Sequence, residues 1–345
     1  MKLNIDEEYY GELLPYIKDE NITDITWNGR SLWVDHLEKG RYKVNTRLEE
    51  QFVNTFATRI GNLVNRNFNI SEPLLEAETD ELRISFIHRS VTNTGVSIAI
   101  RKTPAVRRLS EEKMLRSGYA DKVLLELLEA LIKGHCSVIV TGDVGSGKTE
   151  LVKYLTKFIP RHERTISIED SFELRLAEIN EGLDCVEMKA SGRFDYARCI
   201  KSSLRQLCKW LLLSESRSRE VESLLEAAST GCICLTTIHS DDVRKLPDRI
   251  QNMMGSQGSE KENDIYNFFD VGIKVNVEKK PDGIHRKIDQ VCTFDRNEDA
   301  NSITMIYDDG KFTGNNLPEN IRKKLVYGGQ RNPLDDLEVV KYEET

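Results

Sequence analysis

The sequence predicts an α/β protein in which a mainly parallel sheet, covered by helices, follows a smaller α+β N-terminal domain. Three observations favour this fold class. From residue 121 onward, helical and strand patterns alternate, which is typical of parallel strands joined by helices. Before residue 104, strand patterns come in adjacent pairs, as in antiparallel hairpins. The length of 345 residues also exceeds that of one common domain.

Residues 1–103 are predicted to form the α+β domain. An opening helix is indicated by EYYGELLPYI, and two strands joined by a two-residue Asn28–Gly29 turn are indicated by ITDITW and RSLWVDH. Helical periodicity follows in RLEEQFVNTFATRIGNLV, and a second strand pair is predicted from LRISFIH and GVSIAIR. Residues 104–120 are predicted to be a short linker in which Ser110 begins a helix, because two glutamates follow it.

Residues 121–295 are predicted to form the parallel domain. Its helices are predicted at DKVLLELLEALIK, after Lys148, at DYARCIKSSLRQL and at SREVESLLEAAS. Its strands are predicted at SVIV, TISI, LDCVEM, WLLL and CICLTTI, followed by a hairpin of DVGIKVNVEKK and HRKIDQVCTF. Residues 296–345 are predicted to contain a further hairpin, SITMIYDDGKF, and a polar tail from Leu317.

The charge and hydropathy of the chain exclude several functional classes. It has 57 acidic and 49 basic residues, a net charge of −8, so a surface built mainly for nucleic-acid phosphates is not expected. No apolar run approaches the roughly 18 residues that cross a bilayer, and the start MKLNIDEEYY lacks the apolar core of a signal peptide. We therefore expect a cytoplasmic protein with at most peripheral membrane association.

The seven cysteines are scattered and odd in number, which favours reduced thiols over a disulfide framework. Only Cys232 and Cys234 lie close together in sequence. No second pair and no histidine stand at zinc-ligand spacing from them, so alternation along a strand explains this pair better than a metal site.

The segment GDVGSGKT, residues 142–149, is a phosphate-binding loop between a predicted strand and a predicted helix. Glycines allow successive backbone N–H groups to wrap the phosphates, Lys148 supplies positive charge, and Thr149 holds Mg²⁺. The residues predicted to contact the nucleotide are Gly142, Asp143, Val144, Gly145, Ser146, Gly147, Lys148, Thr149 and Glu150. This loop alone does not distinguish kinases, GTPases, helicases and motors.

Polar side chains follow three other predicted strands. Glu169 ends TISI and is followed by Asp170, Glu215 comes shortly after WLLL, and His239 follows CICLTTI. Because the carboxyl ends of parallel strands meet at one edge of a sheet, we expect these side chains to lie around one γ-phosphate and its Mg²⁺.

With these motifs the chain resembles the traffic ATPases of type II and type IV secretion, conjugation and pilus machines. The resemblance covers roughly residues 10–295, and its motifs GDVGSGKT, ISIEDSFEL, LLLSESRS and EAASTGCICLTTIHS appear in the family's order. The early hairpin and the strand pair ending in Ile-Arg-Lys match more loosely. The lack of a tetra-cysteine zinc module favours the type IV secretion or tight-adherence pilus branch.

The resemblance implies a RecA-like domain that binds ATP and Mg²⁺. It makes Glu215 the Walker B glutamate that positions the attacking water, and Glu169 a second acid that, with Thr149, holds Mg²⁺ or water. His239 is similar to the histidine-box residue that senses the γ-phosphate. The alternative for Glu169 and Glu215 is an ordinary loop or capping residue, and from the residues alone a lone histidine is usually structural.

The resemblance also assigns two arginines of the N-terminal domain to the nucleotide. Arg83 in ELRIS and Arg101 in VSIAIR stand at positions similar to the family's phosphate-facing arginines. Such residues neutralise phosphate charge, within one subunit or across a subunit interface. Either arginine could instead be an ordinary surface residue.

The resemblance predicts an ATPase that works as a homo-hexamer with inner-membrane components of a secretion or pilus machine. Two alternatives stay open: a DNA-dependent translocase or helicase, and a nucleotide-binding subunit with little hydrolysis. Departures from the family pattern support the second alternative. Ser214 replaces a glycine, Cys208 and Lys209 replace a Pro-Asp pair, and Cys232 replaces a histidine.

Overall fold

The computed structural model describes residues 5–216, 220–255, 258, 260–297 and 300–337. These residues form two compact units. The first comprises the described residues of Met1–Ala105 together with Lys279–His285. The second comprises those of Val106–Glu278 and Arg286–Thr345.

The first unit contains a six-stranded antiparallel sheet that packs against one long helix. Its strands are β1 Ile22–Trp27, β2 Leu32–His36, β3 Gly40–Lys43, β4 Leu74–Glu78, β5 Leu82–Ile87 and β6 Ser97–Lys102. Its helices are a 3₁₀ segment Glu7–Leu13, α1 Leu14–Lys18 and α2 Glu50–Leu63. The strands lie in the order β3-β2-β1-β6-β5-β4, and Val53, Phe56 and Ile60 of α2 are buried in the core of this unit. Strands β3 and β4 are additions to the predicted hairpins.

Two predictions for the first unit are wrong in detail. The opening segment is not one α-helix, because Gly11 has a φ of 47° and breaks it. A Cβ there would lie 2.6 Å from the ring of Phe52, so the break and the glycine go together. The predicted two-residue turn is a four-residue loop, residues 28–31, because the side-chain oxygen of Asn28 accepts the N–H groups of Arg30 and Ser31.

The second unit is built around a nine-stranded sheet within the described residues. Its strands are β7 Val138–Thr141, β8 Thr165–Glu169, β9 Cys185–Lys189, β10 Trp210–Leu213, β11 Ile233–Ile238, β12 Val271–Lys280, β13 Gly283–Arg296, β14 Asn301–Asp308 and β15 Lys311–Phe312. Its helices are α3 Glu111–Ser117, α4 Lys122–Lys133, α5 Lys148–Leu155, α6 Leu176–Ile179, α7 Tyr196–Leu204, α8 Glu220–Ser229, α9 Leu246–Met254, α10 Glu262–Phe268 and α11 Glu319–Tyr327. Ser110 caps α3 as predicted, since its hydroxyl accepts the N–H of Lys113.

The nine strands lie in the order β15-β14-β13-β12-β7-β11-β10-β8-β9, and the sheet is mixed. Neighbours from β12 to β9 are parallel, whereas β13–β14 and β14–β15 are antiparallel. Every residue of β7, β10 and β11 is buried, as expected for central strands covered on both faces. The α/β class predicted from the sequence is therefore confirmed.

The C-terminal segment differs from the predicted polar tail, because residues 319–327 form α11. Ile321 and Leu325, spaced one turn apart, are both buried in the same core cluster as α4. Lys324 adds an ion pair with the fully buried Asp270, at 2.7 Å to both carboxylate oxygens. The end of the predicted tail from residue 338, and residues 218–219 of the helix predicted at SREVESLLEAAS, lie outside the described residues.

None of the helices in the described part of the chain combines the length and the apolar character needed to cross a membrane.

Candidate nucleotide site

The order of the parallel strands brings the predicted site residues of the second unit to one edge of the sheet, which we call the carboxyl edge. The neighbours β7, β11, β10 and β8 all end there. The phosphate-binding loop follows β7, His239 follows β11, Glu215 lies two residues beyond β10, and Glu169 ends β8. Their order along the edge is therefore loop, histidine, glutamate, glutamate. Parallel pairing alone accounts for this order.

The loop of residues 142–147 needs glycine at three positions. Gly142, Gly145 and Gly147 have φ values of 142°, 76° and 96°, which side-chain-bearing residues rarely adopt. At Gly142 a Cβ would also lie 2.2 Å from the carbonyl oxygen of Val275. The third glycine is the N-cap of α5, so the loop leads directly into the positive end of a helix dipole.

The side chain of Lys148 lies inside this loop and is hydrogen-bonded to its backbone. Its Nζ donates hydrogen bonds of 2.9 Å to the carbonyl oxygens of Gly142 and Asp143, and the side chain is buried. Burial lowers the pKa of Lys148, and the negative charges of Glu215 and Asp143 oppose this shift. The ammonium is thus held beneath the loop backbone, where a bound phosphate would need a positive charge.

His239 connects Lys148 to Glu215. Its Nδ1 lies 3.4 Å from Nζ of Lys148, and its Nε2 lies 2.8 Å from Oε1 of Glu215. A lysine ammonium can only donate, so Nδ1 must accept, and Nε2 of a neutral imidazole then carries the proton and donates to Glu215. Three predicted site residues therefore form one chain of contacts.

The backbone around Glu215 is fixed by both neighbouring strands. The N–H of Ser214 donates to the carbonyl of Ile168 in β8, at 3.3 Å. On the other side, the hydroxyl of Thr237 in β11 donates to the carbonyl of Ser214 at 2.6 Å, and the N–H of Ser216 donates to the carbonyl of Thr237 at 2.8 Å. Glu215 is therefore held by a rigid backbone segment.

Glu169 lies one strand beyond Glu215 and is completely buried. Its Oε2 accepts the N–H groups of Glu173 and Leu174, at 2.9 and 3.0 Å. Burial raises the pKa of Glu169 to about 7, although these two hydrogen bonds oppose the shift. Its carboxyl group is therefore poised to change charge near neutral pH.

Two buried oxygens of the site have no hydrogen-bond partner within the described residues: Oγ of Ser146 in the loop and Oε1 of Glu169. Unpaired buried oxygens are costly, so they fit a site in which a ligand supplies the missing partner. Thr149 is half-buried in the first turn of α5. No group of three or more His, Cys, Asp and Glu side chains in the described chain could hold a metal alone. Hydroxyl and carboxylate oxygens are ligands that Mg²⁺ prefers, so Thr149 and Glu169 fit the predicted ion by their chemistry.

Arg83 and Arg101 lie in the first unit, where they face each other across the antiparallel pair β5–β6. Directly opposed side chains point to the same face of a sheet, so two positive charges lie side by side. Nε of Arg101 also donates to Asp24 at 2.9 Å. The structure thus brings these two predicted residues together with each other.

Arg286 in β13 contacts the loop and was not among the predicted site residues. Its Nε donates to the carbonyl oxygen of Gly145 at 3.2 Å, and its Cδ lies 3.5 Å from where a Cβ of Gly147 would be. Burial lowers the pKa of Arg286. No motif marks this arginine, because only the pairing of β13, β12 and β7 brings it to a loop about 140 residues earlier in the chain. A basic residue in an alternating strand was the only available signal.

Comparison with known proteins identifies the family. The family model described as "Type II/IV secretion system protein" matches residues 72–309. This chain belongs to that family. The match includes the phosphate-binding loop, Glu169, Glu215 and His239, and it confirms the resemblance seen in the sequence motifs.

Individual proteins and a solved structure are also similar to this chain. An uncharacterised protein of Bacillus anthracis is 25% identical over 315 residues, which cover 85% of this chain and 71% of that protein. Type II secretion system protein E of Klebsiella pneumoniae is 30% identical over 142 residues, but these are 41% of this chain and only 28% of that protein. The X-ray structure of the Legionella pneumophila ATPase DotB superposes with a TM-score of 0.58 at 18% identity, covering 85% of this chain and 82% of DotB. The fold of this chain is therefore similar to that of DotB.

Proposed function

We propose that this chain is an ATPase motor of a type IV secretion, conjugation or pilus-assembly system. In this proposal residues 121–295 are a RecA-like domain, a homo-hexameric ring hydrolyses ATP with Mg²⁺, and the motion reaches inner-membrane components from the cytoplasmic face. The observation that carries it is the chain of contacts from Lys148 through His239 to Glu215, beside a glycine loop that can wrap phosphates. Family membership supports the same chemistry.

The loop residues bind the substrate phosphates. Backbone N–H groups at the start of α5 and the Ser146 hydroxyl donate to phosphate oxygens, and Lys148 turns from the loop carbonyls towards the transferred phosphate. Thr149 and Glu169 would hold Mg²⁺, which would supply positive charge to the phosphoryl group when bound. Binding of phosphate thus gives the buried polar atoms of this edge their partners.

Glu215 orients the attacking water and takes up its proton. A carboxylate does this best at a fixed position, and the backbone bonds of Ser214 and Ser216 to adjacent strands provide that position. The Nε2–H of His239 donates to Oε1 of Glu215 at 2.8 Å, which fixes the direction in which the carboxylate points. Because the same ring contacts Lys148, His239 couples the water-positioning group to occupancy of the phosphate site.

Arg83 and Arg101 supply further positive charge to a nucleotide, in the same or a neighbouring subunit. Two adjacent guanidinium groups on one sheet face can stabilise charge that grows on the phosphates during transfer. Changing either to Ala is expected to lower kcat with little change in ATP affinity. If purified R83A and R101A variants keep the parental kcat, this role is wrong.

Two variants test the proposed chemistry directly. Lys148→Ala should abolish ATP binding, and Glu215→Gln should retain binding but stop hydrolysis, because the amide cannot accept a proton. Binding is measured with a fluorescent ATP analogue and hydrolysis by phosphate release. Lys157→Ala and Glu226→Gln, at exposed positions of the same unit, are matched controls that should behave like the parent. Undiminished turnover in Glu215→Gln would falsify the assignment of the base.

A second candidate function is a nucleotide-binding subunit with little hydrolysis, which the side chain of Ser214 beside Glu215 favours. Glycine at this position would remove the hydroxymethyl group and leave the backbone bonds intact. If the chain is a nucleotide-binding subunit with little hydrolysis, the parent protein should release phosphate slowly. Ser214→Gly should then increase the rate of phosphate release. Measuring hydrolysis with and without DNA separates both functions from a DNA-dependent translocase, which requires stimulation by DNA.

A further inference from the structure

The positions at which the sequence departs from the family pattern, apart from Ser214, come together at the opposite edge of the sheet, which we call the amino edge. Cys208 and Lys209 immediately precede β10, and Cys232 immediately precedes β11. The N–H of Ile233 donates to the carbonyl of Lys209 at 2.8 Å, so the two strand starts are directly paired. Residues separated by more than twenty positions in sequence thus form one small cluster.

The two cysteines of this cluster are in contact. Sγ of Cys232 donates to the backbone oxygen of Cys208 at 3.2 Å, and Sγ of Cys208 donates to the backbone oxygen of Trp210 at 3.1 Å. Both pack on the same face of the sheet, in the hydrophobic cluster that contains α7 and α8 residues. Because Trp210 pairs with Ile233, Cys232 lies beside Lys209, one position beyond Cys208. With strands about 4.8 Å apart and a rise of about 3.3 Å per residue, this diagonal offset falls within the Cα separation that a disulfide can span.

The surroundings of the two thiols shift their pKa values in opposite directions. The neighbouring Cys208 side chain lowers the pKa of Cys232 to about 7, with further support from Thr230 and Lys209, against the effect of burial. The neighbouring Cys232 and burial raise the pKa of Cys208. Cys232 is therefore the thiol that ionises first, and Cys208 is the thiol that stays protonated beside it.

The cluster lies close to the surface. Cys208 is half-buried, Lys209 and Gly231 are exposed, and Leu207 is 87% exposed. Cys232 itself is buried, at 7% exposure, beside these exposed neighbours, so a reagent must be small to reach its sulfur. The fully buried Cys292 and the half-buried Cys185, whose pKa values are both raised by burial, have no comparable arrangement.

We propose that Cys208 and Cys232 form an oxidisable dithiol, a modification site that hydrogen peroxide converts into an intrachain disulfide. The Cys232 thiolate attacks one oxygen of the peroxide, the O–O bond breaks, and the departing hydroxide takes up a proton to become water. The sulfur of Cys208 then attacks the resulting sulfenic acid, the S–O bond breaks, and a second water leaves with the proton of Cys208. Two thiols lose two electrons to one peroxide, and a thiol reductant reverses the change.

The test uses the full chain and maps all seven cysteines. Reduced protein is treated with hydrogen peroxide at neutral pH, quenched with N-ethylmaleimide in denaturant and digested for mass spectrometry. We expect a peptide pair joined through Cys208 and Cys232 that disappears after dithiothreitol. Without peroxide, iodoacetamide should modify Cys232 about tenfold faster than Cys185, because the thiolate is the reactive species.

Variants assign the two roles. Cys208→Ser should leave Cys232 as a sulfenic acid that dimedone traps, whereas Cys232→Ser should remove both the disulfide and the dimedone adduct. Cys185→Ser is the matched control and should leave the disulfide unchanged. ATP binding and circular dichroism confirm that each variant is folded. A disulfide to Cys234 in place of Cys208, or equal reactivity of Cys232 and Cys185, overturns the proposal.

Discussion

The nine-stranded sheet has a buried carboxylate at each of these two edges, and the two carboxylates are paired differently. At the carboxyl edge, Oγ of Ser146 and Oε1 of Glu169 are buried without a hydrogen-bond partner among the described residues. At the amino edge, the buried carboxylate of Asp270 accepts the N–H of Ser137 and pairs with Lys324. Glu169 and Ser146 thus keep polar atoms for a ligand, whereas Asp270 is paired within the fold.

The two kinds of buried group are expected to affect different properties, namely stability at the amino edge and activity at the carboxyl edge. Each unpaired buried polar group costs about 1–3 kcal/mol, so such groups persist where binding gives them partners. A buried pair is costly to break, because its loss leaves one charge unpaired. We therefore expect substitutions at the amino edge to change unfolding, and substitutions at the carboxyl edge to change turnover.

The largest effect is expected from Asp270→Ala at the amino edge. It removes the acceptor for the N–H of Ser137 and the partner of Lys324, and it should lower the free energy of unfolding by about 3 kcal/mol, since Lys324 itself is partly exposed. Urea denaturation gives the value. Asp336→Ala, at a 63% exposed carboxylate, is the control and should change little. A loss below about 1 kcal/mol would show that the Asp270–Lys324 pair contributes little to the stability of the fold.

His239→Ala is the corresponding change at the carboxyl edge. Without the imidazole, Glu215 loses the donor that orients it and Lys148 loses a neighbour, so kcat should fall about a hundredfold. The free energy of unfolding should change by less than about 0.5 kcal/mol, because the side chain is partly exposed. Steady-state phosphate release and urea denaturation measure the two quantities. His162→Ala, at an exposed position, is the control and should leave kcat and the free energy of unfolding unchanged. If His239→Ala mainly lowers the free energy of unfolding, His239 serves the fold and not turnover.

What the sequence could predict followed from local pattern and strand pairing. The glycines of GDVGSGKT, the strand before them and the acids after TISI and WLLL are visible in single segments, and parallel pairing then implies that they meet. Gly11 shows the limit of local pattern, since the break of the first helix depends on the distant ring of Phe52. The contacts of Arg286 with the loop and of α11 with the sheet likewise depend on long-range packing.

Glu169→Gln tests whether ionisation of Glu169 destabilises the folded protein. The folded protein holds the pKa of Glu169 near 7, above the ordinary value of 4.5, so between these pH values the folded state binds more proton than the unfolded state. The stability contributed by this group is therefore present at pH 4.5 and is lost as pH rises to 7. The difference in unfolding free energy, variant minus parent, should increase by about 2 kcal/mol over this window. A difference that is constant with pH would show that Glu169 ionises normally.

The smallest effect is expected for Trp210→Phe at the amino edge. The indole Nε1–H donates to Oε2 of Glu163 at 2.6 Å, and Glu163 also contacts Nε2 of His135, so the carboxylate keeps a partner when the indole is replaced. We therefore expect a loss of about 1 kcal/mol in the free energy of unfolding, with kcat unchanged. Combining Trp210→Phe with Glu163→Gln in a double-mutant cycle separates the hydrogen bond from the lost ring volume. A coupling energy near zero would mean that the bond adds nothing to stability, whereas a fall in kcat would show that the two edges of the sheet do not act separately.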